Sequence, residues 1–191
     1  VLYDGNILGI VPKYHIPNYN EYYEGRRFTP CFEDNIEIEL FGQIVLFGRK
    51  VVFACQNLPS FTLGVEICED LWVDNPPSGM LSRAGATIIV NPSASNDTIG
   101  KREYRRNLVK MQSGRCKSGY IYASSGLGES STDLVFSGHC MIAENGRMIV
   151  EDNDTMIIGT IDVERCVNDR KKYNSETWVD FPYQDFAECK I

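Results

Sequence analysis

The stretch TLGVEICEDLWV, residues 62–73, decides how this chain is read. Its first half alternates: Leu63, Val65 and Ile67 fall on one face of a strand, and Gly64, Glu66 and Cys68 on the other. Cys68 therefore stands where a buried strand gives way to a polar loop, a place where α/β folds set reactive groups. Three carboxylates, Glu66, Glu69 and Asp70, flank the thiol. A carboxylate field opposes thiolate formation. Either Cys68 is an inert buried residue, or a nearby cation and oriented backbone outweigh those charges.

Outward from this strand, periodicity and turn residues predict strands at 1–4, 7–11, 44–47, 51–55, 62–67, 86–90, 120–124, 138–143, 147–151 and 156–161. Asp4-Gly5 and the ENGR turn at 144–147 read as hairpin connections. The run ATIIV (86–90) is apolar on both faces, so its strand should be covered on both sides. A helix is expected over 76–84, with Asn75 as cap, Pro76 in the first position and Gly85 at the exit. A second is expected over 100–117, with Tyr104, Leu108 and Met111 on one stripe. Hairpins mixed with strand–helix–strand units point to an α/β fold with a mixed sheet.

Composition narrows the function. With 191 residues the chain is one domain or the larger part of one. A net charge of −7 and a pI near 4.9 argue against a nucleic-acid or anionic-membrane binder. No apolar run approaches the ~18 residues of a membrane span. Seven dispersed cysteines without a CxxC pair, and two histidines, give neither a zinc spacing nor a disulfide framework. No metal is expected, and a reducing, cytoplasmic setting is. The chain opens on Val1 inside an apolar hairpin, so a preceding N-terminal segment is expected.

Two further stretches carry chemistry. In VPKYHIPNYNEYYEGRRFTP (11–30), Lys13 follows a strand and precedes a loop with Tyr14, Tyr19, Tyr22 and Tyr23. Aromatic walls that exclude water would let its ammonium act strongly on an adjacent anion. In VNPSASNDTIGKREYRRN (90–107), a strand ends at Asn91-Pro92 and small hydroxylated residues lead into a helix near Thr98. A helix N-terminus there offers free N–H groups to a carboxylate or oxyanion.

Lys13 in its context, Cys68 in GVEICEDLW and the run GLGESSTDLVFSGHCMIAENG (126–146) together resemble the nitrilase-type, carbon–nitrogen hydrolase glutaminase domains of glutamine-dependent NAD synthetases. The resemblance covers nearly the whole chain. It implies a four-layer αββα sandwich, incomplete at the N-terminus, with residues 1–163 as the amidohydrolase domain. Residues 164–191 would be a C-terminal extension toward a missing synthetase domain or a subunit interface. It also implies a Glu-Lys-Cys triad. Cys68 would attack the side-chain amide of glutamine, and Lys13 would stabilise the oxyanion. The glutamate base belongs to a strand end upstream of the lysine, a context that no acidic residue here occupies, so the chain alone is expected to be nearly inactive. Tyr19, Glu69, Trp72, Ser95 and Lys101 match substrate-binding positions, and Lys101 stands where some relatives carry arginine, which alone can grip a carboxylate bidentately. No cofactor is implied in this domain; ATP and Mg belong to the missing synthetase domain, and homo-oligomers are expected.

Other signals weigh less. The seven basic residues over 101–117 read as a solvated or interface face in so acidic a chain. His15 and His139 have no special context for a dyad with Cys68. GLGES lacks nucleotide-loop spacing, and SGH is not a nucleophile elbow. The rival readings are a free-standing amidase or nitrilase acting on another small amide or nitrile, and a non-catalytic fragment or scaffold.

Overall fold

The computed structural model describes residues 1–31, 34–153, 156–173 and 186–191. In chain order its elements are β1 (Leu2–Tyr3), β2 (Asn6–Ile7), β3 (Gly9–Ile10), β4 (Ile36–Leu40), β5 (Gln43–Phe47), β6 (Val51–Ala54), β7 (Thr62–Val65) and α1 (Pro77–Arg83). They continue with β8 (Ile88–Ser93), α2 (Lys101–Cys116), β9 (Gly119–Ser124), β10 (Cys140–Glu144), β11 (Arg147–Asp152), α3 (Val163–Lys172) and β12 (Ala187–Lys190).

Seven strands form one mixed sheet in the order β11-β10-β9-β8-β7-β6-β12. Strands β7, β8 and β9 run parallel, linked by α1 and α2 as crossovers, while the β10–β11 hairpin closes one edge antiparallel. Its turn has Asn145 and Gly146 at φ 45° and 83°, the left-handed pair that an Asn-Gly connection supplies. The Asp4-Gly5 turn joins β1 to β2 in the same way. Strand β8 lies at the middle of the sheet, with Ala86, Thr87, Ile88 and Ile89 at its entrance all buried, as the doubly apolar run requires.

The two faces of β6 show what the sheet packs against. Val52 joins Leu81, Ile89 and Val109 in the core beneath α1 and α2. Phe53 points the other way, where a Cβ on Gly9 would meet its ring at 3.0 Å. There a smaller sheet, β3-β5-β4, lies against the large one. The link Gly48–Lys50 thus carries the chain from one sheet to the other. Helices, large sheet and small sheet are three layers of the expected αββα sandwich; a second helical layer is not found among the described residues.

Several expectations need correction. Helix α2 forms, but Arg105, Val109, Gln112, Ser113 and Cys116 face inward, whereas Tyr104 and Met111 are each 57% exposed. Arg105 wins the inner face because its guanidinium donates to the carbonyl of Asn96 (3.0 Å) and to Nδ1 of His139 (3.1 Å). Asn75 does not cap α1. Pro76 holds that position, and the Glu66 carboxylate accepts from the N–H of Ser78 at 2.7 Å. The apolar run at 156–161 is no strand: it finds no ladder partner, and Met156 and Ile158 are 71% and 79% exposed. Strand β4 and helix α3 were not anticipated. Asp162 caps α3 by accepting from the N–H of Arg165 at 2.9 Å, and Arg170 ties it to the carbonyls of Ser82, Ala86 and Lys117. Strand β12 pairs in parallel with β6, so both described parts of the 164–191 extension are joined to this body.

Candidate active site

Cys68 leaves β7 at the start of a tight 3-10 turn, Cys68–Leu71, with its own φ at +50°. A residue with a Cβ reaches that left-handed region only when its surroundings enforce it. Here the enforcement is a buried polar chain. The N–H of Cys68 donates to Oδ1 of Asn91 at 2.9 Å, and Ser93 Oγ donates to the same oxygen at 2.8 Å. Asn91 Nδ2 donates to the hydroxyl of Tyr120 at 3.0 Å, and that hydroxyl donates to Glu66. Burial raises the Glu66 carboxyl above the usual glutamate range, against the pull of its Tyr120 and Ser78 donors. Strand β8 is thus fixed to the Cys68 turn by its first polar residue.

The three carboxylates around the thiol each have another partner. Glu66 is held by Tyr120 and Ser78. Glu69 accepts from the Tyr19 hydroxyl, with both carboxylate oxygens at 3.0 Å. Asp70 is bound to His15 and to the N–H of Ile67. The question raised by the sequence is answered locally: each carboxylate is engaged by other groups, and of the three only Glu69 forms part of the wall beside Cys68.

That wall encloses a cavity of about 320 Å³, within the range of small-ligand pockets. Cys68 lines it together with all five expected substrate residues, Tyr19, Glu69, Trp72, Ser95 and Lys101. They converge from the 11–31 loop, the Cys68 turn, the segment after β8 and the first turn of α2. Trp72 stacks on Tyr104 with ring centroids 5.5 Å apart, and the Lys101 ammonium lies 5.3 Å from the centres of both the Trp72 and Tyr22 rings. Burial, and next the Arg105 guanidinium, lower the Lys101 pKa from the ordinary lysine value. Burial pushes the Glu69 carboxyl up, while the Tyr19 hydrogen bond and the charges of Lys13 and Lys101 pull it back. Burial and then the Glu69 carboxylate push the Tyr19 phenol up. The cavity therefore offers one anion and one cation at its rim, with aromatic faces between them.

Lys13 is not among the residues that line this cavity. Its Nζ donates to Oε2 of Glu24 at 2.6 Å, and its side chain is 18% exposed. Its charge still reaches the Glu69 carboxyl next to Cys68. Glu24, Asn91, Asn96 and Asp70 have no assigned role in the sequence pattern, because each acts through a partner far along the chain. Asn96 binds the loop to the cavity: its backbone N–H donates to the Tyr22 hydroxyl at 3.1 Å, while its side chain engages Tyr22, Glu21 and Lys101. Neither histidine partners the thiol. His15 binds Asp70, and His139 accepts from Arg105 while its other ring nitrogen donates to Glu151 at 2.9 Å. Among the described residues no group of three or more metal-ligating side chains converges.

Residues 3–171 match the family model for carbon-nitrogen hydrolases. The chain belongs to the carbon-nitrogen hydrolase family. Among relatives, it is 46% identical over 151 residues to the glutamine-dependent NAD(+) synthetase of Mycobacterium bovis, which covers 79% of this chain and 22% of that protein. The chain thus spans about a fifth of the length of such curated relatives. Among solved structures, the fold resembles a glutamine-dependent NAD(+) synthetase from Cytophaga hutchinsonii, with TM-score 0.62 and 29% identity over 75% of this chain and 22% of that one. It also resembles a carbon-nitrogen hydrolase from Helicobacter pylori, with TM-score 0.69 and 21% identity over 95% of this chain and 62% of that one. This last likeness is one of fold. Together these neighbours account for the mixed sheet and its nitrilase-like sandwich.

Proposed function

We propose that this carbon-nitrogen hydrolase domain is the glutaminase part of a glutamine-dependent NAD synthetase. The observation that carries the reading is the convergence of Cys68 with Tyr19, Glu69, Trp72, Ser95 and Lys101 around one amino-acid-sized cavity. Glutamine enters with its α-ammonium toward Glu69 and Tyr19 and its α-carboxylate toward Lys101 and Ser95. Its carbon chain lies along Trp72, and its amide faces Cys68.

The Cys68 thiolate adds to the amide carbon, forming a C–S bond as the carbonyl electron pair moves to oxygen. The Lys13 ammonium, held by Glu24, stabilises that oxyanion. The C–N bond then breaks as the nitrogen takes a proton, and ammonia leaves a Cys68 thioester. Water adds to the thioester, returning the thiol and releasing glutamate. The proton carrier in both halves is a glutamate base that we assign to sequence outside these 191 residues. The chain on its own should therefore turn over several orders of magnitude more slowly than the full-length protein.

The ammonia is delivered to a synthetase domain that amidates nicotinic acid adenine dinucleotide with ATP and Mg. The boundary between amidohydrolase domain and extension falls near residue 163, and 164–191 faces that domain or another copy in a homo-oligomer. A cytoplasmic location is part of the same reading, on the seven dispersed cysteines without a CxxC pair.

The test is Cys68→Ala in the full-length protein. It should abolish ammonia release from glutamine and glutamine-driven NAD formation, and leave NAD formation driven by added ammonium salt intact. Ammonia release from glutamine by the alanine variant would overturn the assignment of Cys68.

A further inference from the structure

Lys13 and Cys68 stand 55 positions apart, and the lysine sits in a long irregular loop. Between β3 and β4 the described chain forms no regular element other than the 3-10 turn Glu24–Arg26. A loop of that length does not by itself hold an ammonium to within an ångström of where a reaction needs it. Something must fix its lysine end to the nucleophile turn.

Asp70 meets that need. It is 2% exposed, and among the described residues its carboxylate has donors from two segments. Oδ1 accepts from the backbone N–H of His15 and faces the Nδ1 of the same residue, each at 2.9 Å. Oδ2 accepts from the N–H of Ile67 at 2.9 Å. A carboxylate is acceptor-only, so His15 carries its proton on Nδ1. Among the described residues, His15 is the only basic side chain within ion-pair distance of this buried group. Its donors come from two residues beyond Lys13 and from the residue just before Cys68. Two residues span at most ~7 Å of chain, so this contact holds the backbone that carries Lys13 and the backbone that carries Cys68 together at short range. The other bridges between loop and cavity, through Tyr19, Glu21 and Tyr22, lie six, eight and nine residues beyond Lys13.

We propose that Asp70 is a positioning residue, clamping the lysine loop to the nucleophile turn through His15 and so setting where the Lys13 ammonium stands relative to the Cys68 thiol. The inference rests on reading Lys13 and Cys68 as the reacting pair. It makes a prediction of unusual sign. Removing a nearby carboxylate by charge alone should favour the thiolate and speed its alkylation. Loosening the clamp should withdraw the cation and slow it.

The experiment measures the rate at which iodoacetamide alkylates Cys68 in the full-length protein, read on the Cys68 peptide by mass spectrometry across a pH series. The expected result is that Asp70→Asn, which keeps one acceptor oxygen and loses the other, slows alkylation about tenfold near neutral pH and shifts the profile about one unit upward. His15→Ala retains its backbone donor and shows a smaller effect of the same sign. It also carries the test if Asp70→Asn does not fold. On a Lys13→Met background, Asp70→Asn should no longer slow alkylation and should leave it unchanged or faster, because the cation it positions is gone and only the loss of its own charge is left. Faster or unchanged alkylation in both clamp variants, or equal slowing on both backgrounds, overturns the clamp. If Lys13→Met alone leaves alkylation unchanged, the lysine reading falls and takes the clamp with it. If Lys13→Met slows alkylation and neither clamp variant does, only the clamp falls.

Discussion

The backbone N–H of Cys68 donates to the side-chain carbonyl of Asn91 at 2.9 Å, across the gap between the Cys68 turn and the neighbouring strand β8. Asn91 is 1% exposed and uses both ends of its amide, the second on Tyr120. Replacing it by leucine leaves a buried N–H without an acceptor at a residue already held at a left-handed φ. Asn91→Leu should cost about 1–3 kcal/mol in urea unfolding. It should also lower kcat for glutamine hydrolysis more than it raises KM, since it moves the nucleophile and spares the residues assigned to the substrate's charged ends.

The left-handed φ of Cys68 makes a separate prediction. At +50° a Cβ is crowded, and glycine is the one residue free of that cost. Ordinarily a glycine destabilises relative to alanine through its greater freedom in the unfolded chain. At this position the order should reverse, with Cys68→Gly more stable than Cys68→Ala by roughly 0.5–1 kcal/mol. Two urea titrations decide it. Equal or inverted stabilities would mean that the turn holds no backbone strain.

Much of this was legible in the sequence because the signals were local. The alternation of Gly64, Glu66 and Cys68 on one face is a property of four consecutive pleats. The Asn145-Gly146 turn declares itself through a φ that few other pairs adopt. What escaped was set by distant partners. Helix α3 buries only Cys166, so it has no apolar stripe to read. It is held by Arg170 reaching three carbonyls on other elements. Arg105 displaces Tyr104 from the inner face of α2 through bonds to Asn96 and His139 that no spacing foretells. Strand β4 is different: IEIEL alternates plainly, and the reading missed a signal that was present. At the site, the cavity residues were found through resemblance, while Glu24 and Asp70 act through pairings 11 and 55 residues long.

Glu24 accepts from Lys13 at 2.6 Å, and its carboxylate is 32% exposed. Glu24→Gln keeps the shape and one acceptor but removes the charge that orients the ammonium. In the full-length protein it should reduce kcat for glutamine hydrolysis about tenfold or more, with KM nearly unchanged. A rise in KM alone would move Glu24 from orienting the lysine to holding substrate.

Glu69 and Tyr19 make the complementary case. A carboxylate braced by a phenol is built to meet an ammonium, and a charged hydrogen bond there is worth about 1.5–3 kcal/mol. Glu69→Gln should therefore raise KM for glutamine by about tenfold or more. Against a glutamine analogue lacking the α-amino group, the variant and the native protein should differ little. Equal losses for both substrates would show that Glu69 shapes the turn and does not read the ammonium.

Glu66 gives the fold a pH dependence whose sign can be worked out. Burial raises its carboxyl above the ordinary value of 4.5, so the folded state holds the proton to higher pH than the unfolded chain does. Stability from such a group is fully present below its unfolded value and is lost as pH rises through the folded one. Above about pH 4.5 an ionised Glu66 becomes progressively more costly to keep in the core. Glutamine at this position carries no charge at any pH, although it gives up one of the two acceptor oxygens that serve Ser78 and Tyr120. The variant should consequently be the weaker protein at and below about pH 4.5, and its deficit should shrink as pH rises above that value. Urea unfolding of native and Glu66→Gln proteins at several pH values reads this directly, and a gap that stays constant or widens with pH would rule out burial as the dominant influence on Glu66.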